Sequence, residues 1–74
     1  MLPDFDRLAC EWEGGPYVAR SQVREFSSGM LHPRTMANYD CLGEGPPKVK
    51  FGKKVFYLVE DLVQWMKERA TRGA

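Results

Sequence analysis

The sequence predicts a small α+β domain, mostly helical, with a single two-stranded hairpin. The 74 residues, 43% of them apolar, supply one core and leave no room for a second domain, because a chain this short buries only about 60% of its unfolded surface. Apolar residues recur at helical spacing in several segments. One stretch, Lys48 to Tyr57, instead alternates lysines with β-branched and aromatic residues about a glycine, which is a hairpin pattern.

Phe5, Leu8 and Trp12 follow Asp4 at i, i+3 and i+7. Residues 1–16 therefore read either as a short helix capped by Asp4 and running to Glu13 or as a mobile tail. Gly14, Gly15 and Pro16 end the segment. The domain proper spans 17–70. Its first helix runs from Arg20 to Ser28 on the stripe Val23 and Phe26 and stops at Gly29. Pro33 suits the first turn of a second helix that continues to Leu42. There Met36, Tyr39 and Leu42 share a core face, while Arg34, Asn38 and Cys41 line a contact face with Ala37 beside it.

Gly43 fits the left-handed position after that helix, and Gly45, Pro46 and Pro47 force an extended connection. Two hairpin registers fit the next segment. A two-residue turn at Gly52 and Lys53 suits glycine in first place but puts Lys48 and Lys50 on the face of Val55 and Tyr57. A three-residue loop gathers Val49, Phe51, Val55 and Tyr57 on one face, with Phe56 outward, and is favoured because burial of one face normally fixes register. The last helix, Leu58 to about Ala70, carries Leu62, Trp65 and Met66 toward the core. Its Glu60 and Asp61 come early and its Lys67, Arg69 and Arg72 late, as the helix dipole favours. Residues 71–74 are expected to fray.

Net charge is only +1, yet it is unevenly spread. Residues 1–15 carry −3, residues 16–57 carry +4, and Lys48, Lys50, Lys53 and Lys54 fall within seven positions. Distribution decides an electrostatic footprint, so a local basic ridge is expected to meet phosphate. Cys10 and Cys41 have no metal-spaced neighbours, support neither a zinc site nor a disulfide framework, and read as structural or incidental thiols. His32, the only histidine, reads as a turn residue. No paired carboxylate, phosphate loop or activated nucleophile stands out, so neither enzymatic activity nor a cofactor or small-molecule ligand is expected. The chain lacks a membrane span or a basic signal-peptide flank, which implies the cytoplasm.

Helix, turn, helix, hairpin, helix is the order of a winged helix-turn-helix. The run from Arg34 to Met66 resembles the excisionase-type helix-turn-helix family, relatives of the MerR DNA-binding domain that include AlpA-like regulators. The resemblance rests on Arg34, Thr35, Met36 and Tyr39, then Gly43 and Pro46, Gly52 at the hairpin tip, and Tyr57, Leu62 and Trp65. It covers nearly half the chain. Two departures are Ala19, where relatives often place a Ser or Thr cap, and Ser27 to Leu31, which lengthens the turn. The resemblance implies sequence-specific binding of double-stranded DNA, in a bacterial or phage nucleoid, by an excisionase or a small transcriptional regulator of a prophage or other mobile element. An integrase or a second copy on the DNA would be its partner.

On that reading the Pro33 to Leu42 helix enters the major groove and the hairpin lies along the neighbouring backbone or minor groove. Arg34 either reads guanine or holds a phosphate, and Asn38 either reads adenine, bonds a phosphate or is simply solvated. Ala37 allows close approach or touches a thymine methyl. Thr35 binds a phosphate or caps its own helix. Tyr39 packs through its ring, with its hydroxyl near the backbone of DNA. Lys48, Lys50, Lys53 and Lys54 supply sequence-independent attraction, the alternative being a solvated strand edge. A second class of function is a protein-interaction adaptor that docks a partner through the acidic N-terminus and Trp12.

Overall fold

The structure, a computed structural model, describes residues 4–70, so the expected fraying of 71–74 lies outside the described residues. Four α-helices and a three-stranded antiparallel sheet build an α+β fold. Helix α1 (Phe5–Glu11) precedes strand β1 (Tyr17–Ala19), a 3-10 turn (Arg20–Gln22) and α2 (Val23–Phe26). Helix α3 (Pro33–Cys41) follows, then β2 (Val49–Phe51), β3 (Lys54–Leu58) and α4 (Val59–Arg69).

Asp4 caps α1, its carboxylate accepting from the Arg7 N–H at 3.1 Å, so the segment forms a helix. Helix α1 ends at Glu11, short of Glu13, and Trp12 turns back beneath it. The Trp12 indole donates to the Tyr17 carbonyl at 3.1 Å and meets Phe26 edge-on at 5.5 Å. Phe5 is buried, and Asp6 accepts from Lys67 of α4 at 2.9 Å.

The expected helix from Arg20 to Ser28 divides into the 3-10 turn and the single turn of α2. Ala19 offers no side-chain cap. Its N–H donates instead to Gln22 Oε1 at 3.2 Å, and the tight first turn follows from that reach back. Ser27 then organises the lengthened connection to α3: fully buried, it donates to the Val23 carbonyl at 2.6 Å and accepts from the Leu31 N–H at 2.8 Å. Ser28 and Gly29 take positive φ, 56° and 89°, which reverses the chain after α2.

Strand order is β1-β3-β2, so β1 adds a third strand to the expected two-stranded hairpin. Val18 lies opposite Tyr57 and both are fully buried. The hairpin register corrects the favoured three-residue loop. Phe51 pairs with Lys54, Lys50 with Val55 and Val49 with Phe56, leaving Gly52 and Lys53 as a two-residue turn with Gly52 at φ 62°. Lys50 therefore shares the face of Val55, and Val49 and Phe51 point outward with Phe56. The reason is that Val55 and Tyr57 on the inner face of β3 are already buried in the core cluster with Met36 and Leu62, while β1 pairs along the other edge of β3. Strand β2 is a three-residue edge with little to bury, and turn chemistry decides its register.

Val18, Val23, Phe26, Leu31, Met36, Val55, Tyr57, Leu62, Trp65 and Met66 all belong to one core cluster. Helix α4 starts directly from β3, its first N–H donating to the Pro16 carbonyl at 2.8 Å. Leu42, expected on the core stripe, is 70% exposed. It is the residue that ends α3, where the core face has already turned away. Cys10 and Cys41 are free and exposed, each on the solvent side of its helix. Among the described residues, no helix is long and apolar enough to cross a membrane.

Candidate functional site

Helix α3 is set by its first residues. The His32 imidazole caps it, Nδ1 accepting from the Arg34 N–H at 3.2 Å, and Pro33 occupies the first turn, where its missing N–H costs nothing. Capping thus falls to His32 and not to Thr35. The periodicity that buries Met36 leaves Arg34, Thr35 and Asn38 exposed on the far side, with Ala37 half-buried beside them. Tyr39 is consumed by packing. Its ring meets Trp65 edge-on at 5.3 Å, and the Arg69 guanidinium stacks over it at 4.3 Å. The Trp65 indole donates to the Glu44 carbonyl at 2.9 Å, tying the loop after α3 to α4.

A buried polar cluster fixes α3 against the sheet. Asp40 Oδ2 accepts from the Arg20 guanidinium at 2.6 Å and from the Tyr57 hydroxyl at 2.5 Å, while Arg20 Nε also donates to the Tyr57 oxygen at 3.2 Å. The cluster joins the 3-10 turn, α3 and β3. The Asp40 side chain is 5% exposed. Desolvation pushes the Tyr57 phenol up to about 12, helped by its bond to Asp40 and the charge there and opposed by Arg20. Gly45 packs so closely on Asp40 Oδ1 that a Cβ there would overlap it. Arg20, Asp40, Tyr57 and Ser27 were not singled out as a network from the sequence. An acidic residue on the inward side of α3 was the available signal for Asp40.

A groove of about 570 Å³ opens between the 3-10 turn and the hairpin, with the start of α3 at its border, and is lined by Arg20, Gln22, Pro33, Lys53, Lys54 and Phe56 among others. Lys53 and Lys54 thus meet the first residue of α3 across one space. Lys48 and Lys50 are exposed elsewhere on the hairpin and do not line it, nor do Arg34, Thr35, Ala37, Asn38 and Tyr39, which continue along α3. Arg20 is held by Asp40. Among the described residues, Arg34 and the four hairpin lysines form no ion pair, the three pairs being Arg7 with Glu11, Arg20 with Asp40 and Lys67 with Asp6. No group of His, Cys, Asp and Glu able to hold a metal occurs among the described residues. At the other end of the sheet, Trp12 is occupied within the chain, so α1 offers a partner only its polar face.

Comparison of the sequence with models of known protein families gives no match, and comparison with characterised proteins likewise gives none.

Proposed function

We propose that this chain is a non-enzymatic, sequence-specific binder of double-stranded DNA with winged helix-turn-helix architecture, serving a bacterial or phage element as an excisionase or a small transcriptional regulator. Helix α3 lies in the major groove with Arg34, Thr35, Ala37 and Asn38 toward the bases and phosphates. The β2–β3 hairpin follows the adjacent backbone or minor groove. One observation carries the reading: the start of α3 and the hairpin's Lys53 and Lys54 border a common groove, and the exposed cations on both elements lack acidic partners among the described residues. Unpaired cations on two adjoining ridges suit a polyanion whose phosphates run past both. The resemblance over Arg34 to Met66 supplies the choice of DNA and of the mobile-element role. Tyr39 supports α3 from beneath rather than reaching a phosphate.

Binding of a random-sequence duplex across a salt series tests it. If the four hairpin lysines each neutralise one phosphate, log K falls against log salt with a slope of roughly −3 to −4. Lys53→Ala shallows that slope by about one and weakens all sequences alike, whereas Arg34→Ala relaxes base preference by about 1 to 3 kcal/mol. A slope near zero for the wild type would refute the reading.

A further inference from the structure

The register of the hairpin leaves an apolar strip on its outer face. Phe51 is 79% exposed and Val49 47% exposed, and both share that face with the half-buried Phe56, which also lines the groove beside Pro33. Among the described residues, Val49 and Phe51 stay exposed. Lys54 stands directly opposite Phe51 on the same face, and Lys53 sits in the turn. A ring this exposed, at the end of a two-residue hairpin, contributes nothing to the core.

The surroundings of the ring identify what it meets. Protein interfaces are depleted in lysine at their centres and usually take about 800 Å² from each partner. A hairpin whose edge strand has three residues, with Lys53 in its turn and Lys54 beside Phe51, fits neither condition. A DNA groove suits the lysines and the ring together, since its phosphates pair with cations while its base steps accept an apolar wedge between them.

Resting on the DNA-binding reading above, we propose that Phe51 is a wedge that the hairpin drives into the minor groove to unstack a base step, with Val49 and Phe56 against the sugars. Lys53 and Lys54 hold the flanking phosphates. The hairpin then discriminates by how readily a step opens rather than by hydrogen bonds, because unstacking costs least where the duplex is already weak.

The test uses the whole chain with Phe51→Ala and two probes, a random-sequence duplex and the same duplex carrying one mismatched step. Phe51→Ala is expected to keep the melting temperature, to bind the intact duplex roughly ten-fold more weakly, and to leave the salt slope unchanged, since no phosphate contact is lost. Wild type is expected to prefer the mismatched duplex, and the variant to lose that preference. If wild type binds DNA and Phe51→Ala binds each probe as tightly as wild type does, the wedge is wrong and DNA binding stands. If wild type binds no duplex at low salt, both fall. Sedimentation showing self-association that Phe51→Ala abolishes would assign the strip to a second copy and likewise overturn the wedge.

Discussion

Asp40 accepts two hydrogen bonds on one oxygen, Oδ2, and leaves Oδ1 buried with no partner among the described residues. A buried carboxylate with an idle oxygen is costly, and its two partners offset that cost only while both stay in place. Tyr57→Phe removes one, and is expected to lower stability by about 2 kcal/mol at neutral pH, read by chemical denaturation. The phenol also sets a pH signature. Its folded value, about 12, lies above the ordinary 10.0, so its contribution is complete below pH 10 and is lost as pH rises from there toward 12. Wild type should therefore lose melting temperature more steeply over that window than Tyr57→Phe, and equal slopes would contradict the cluster. The exposure of Arg34, Thr35 and Asn38 was legible because helical spacing from Pro33 dictates it. The Asp40 cluster was not, because Arg20 and Tyr57 lie 20 and 17 residues away along the chain and no local pattern joins them.

Short elements in this molecule depend on their neighbours. Helix α1 has seven residues, too few to persist alone in water, and its docking rests on the burial of Phe5 and the return of Trp12 onto Phe26. Phe5→Ala should cost about 3 kcal/mol. Asp6→Ala, which removes only an exposed ion pair with Lys67, should cost under about 1 kcal/mol. Comparable losses from both, measured by denaturant unfolding, would mean that charge and not burial seats the helix. Helices α3 and α4 were legible from their stops and stripes, Pro33 and Gly43 for one, Leu62 and Trp65 for the other. The hairpin was legible in place but not in register. Burial was expected to choose the register, yet the core residues of the helices bury the inner face of β3 without help from β2, and the added strand Tyr17–Ala19 has too few residues to show a period. The same register error hid the apolar strip of Val49 and Phe51.

Across the whole molecule, charge follows the architecture. The acidic residues of α1 lie by α4 and the Leu58 end of β3, while the hairpin turn with its lysines lies at the opposite end of that strand. Such a division gives an approaching polyanion one favoured side. The net charge of +1 conceals it, since composition averages over ends that the fold separates. The central claim is that α3 and the hairpin together form a DNA surface, and the most direct test is amide chemical-shift mapping of the labelled chain titrated with a short random duplex at two salt concentrations. The expected result is salt-sensitive shifts clustered at residues 33–41 and 48–54; an absence of shifts at low salt, or shifts centred on α1, would contradict it.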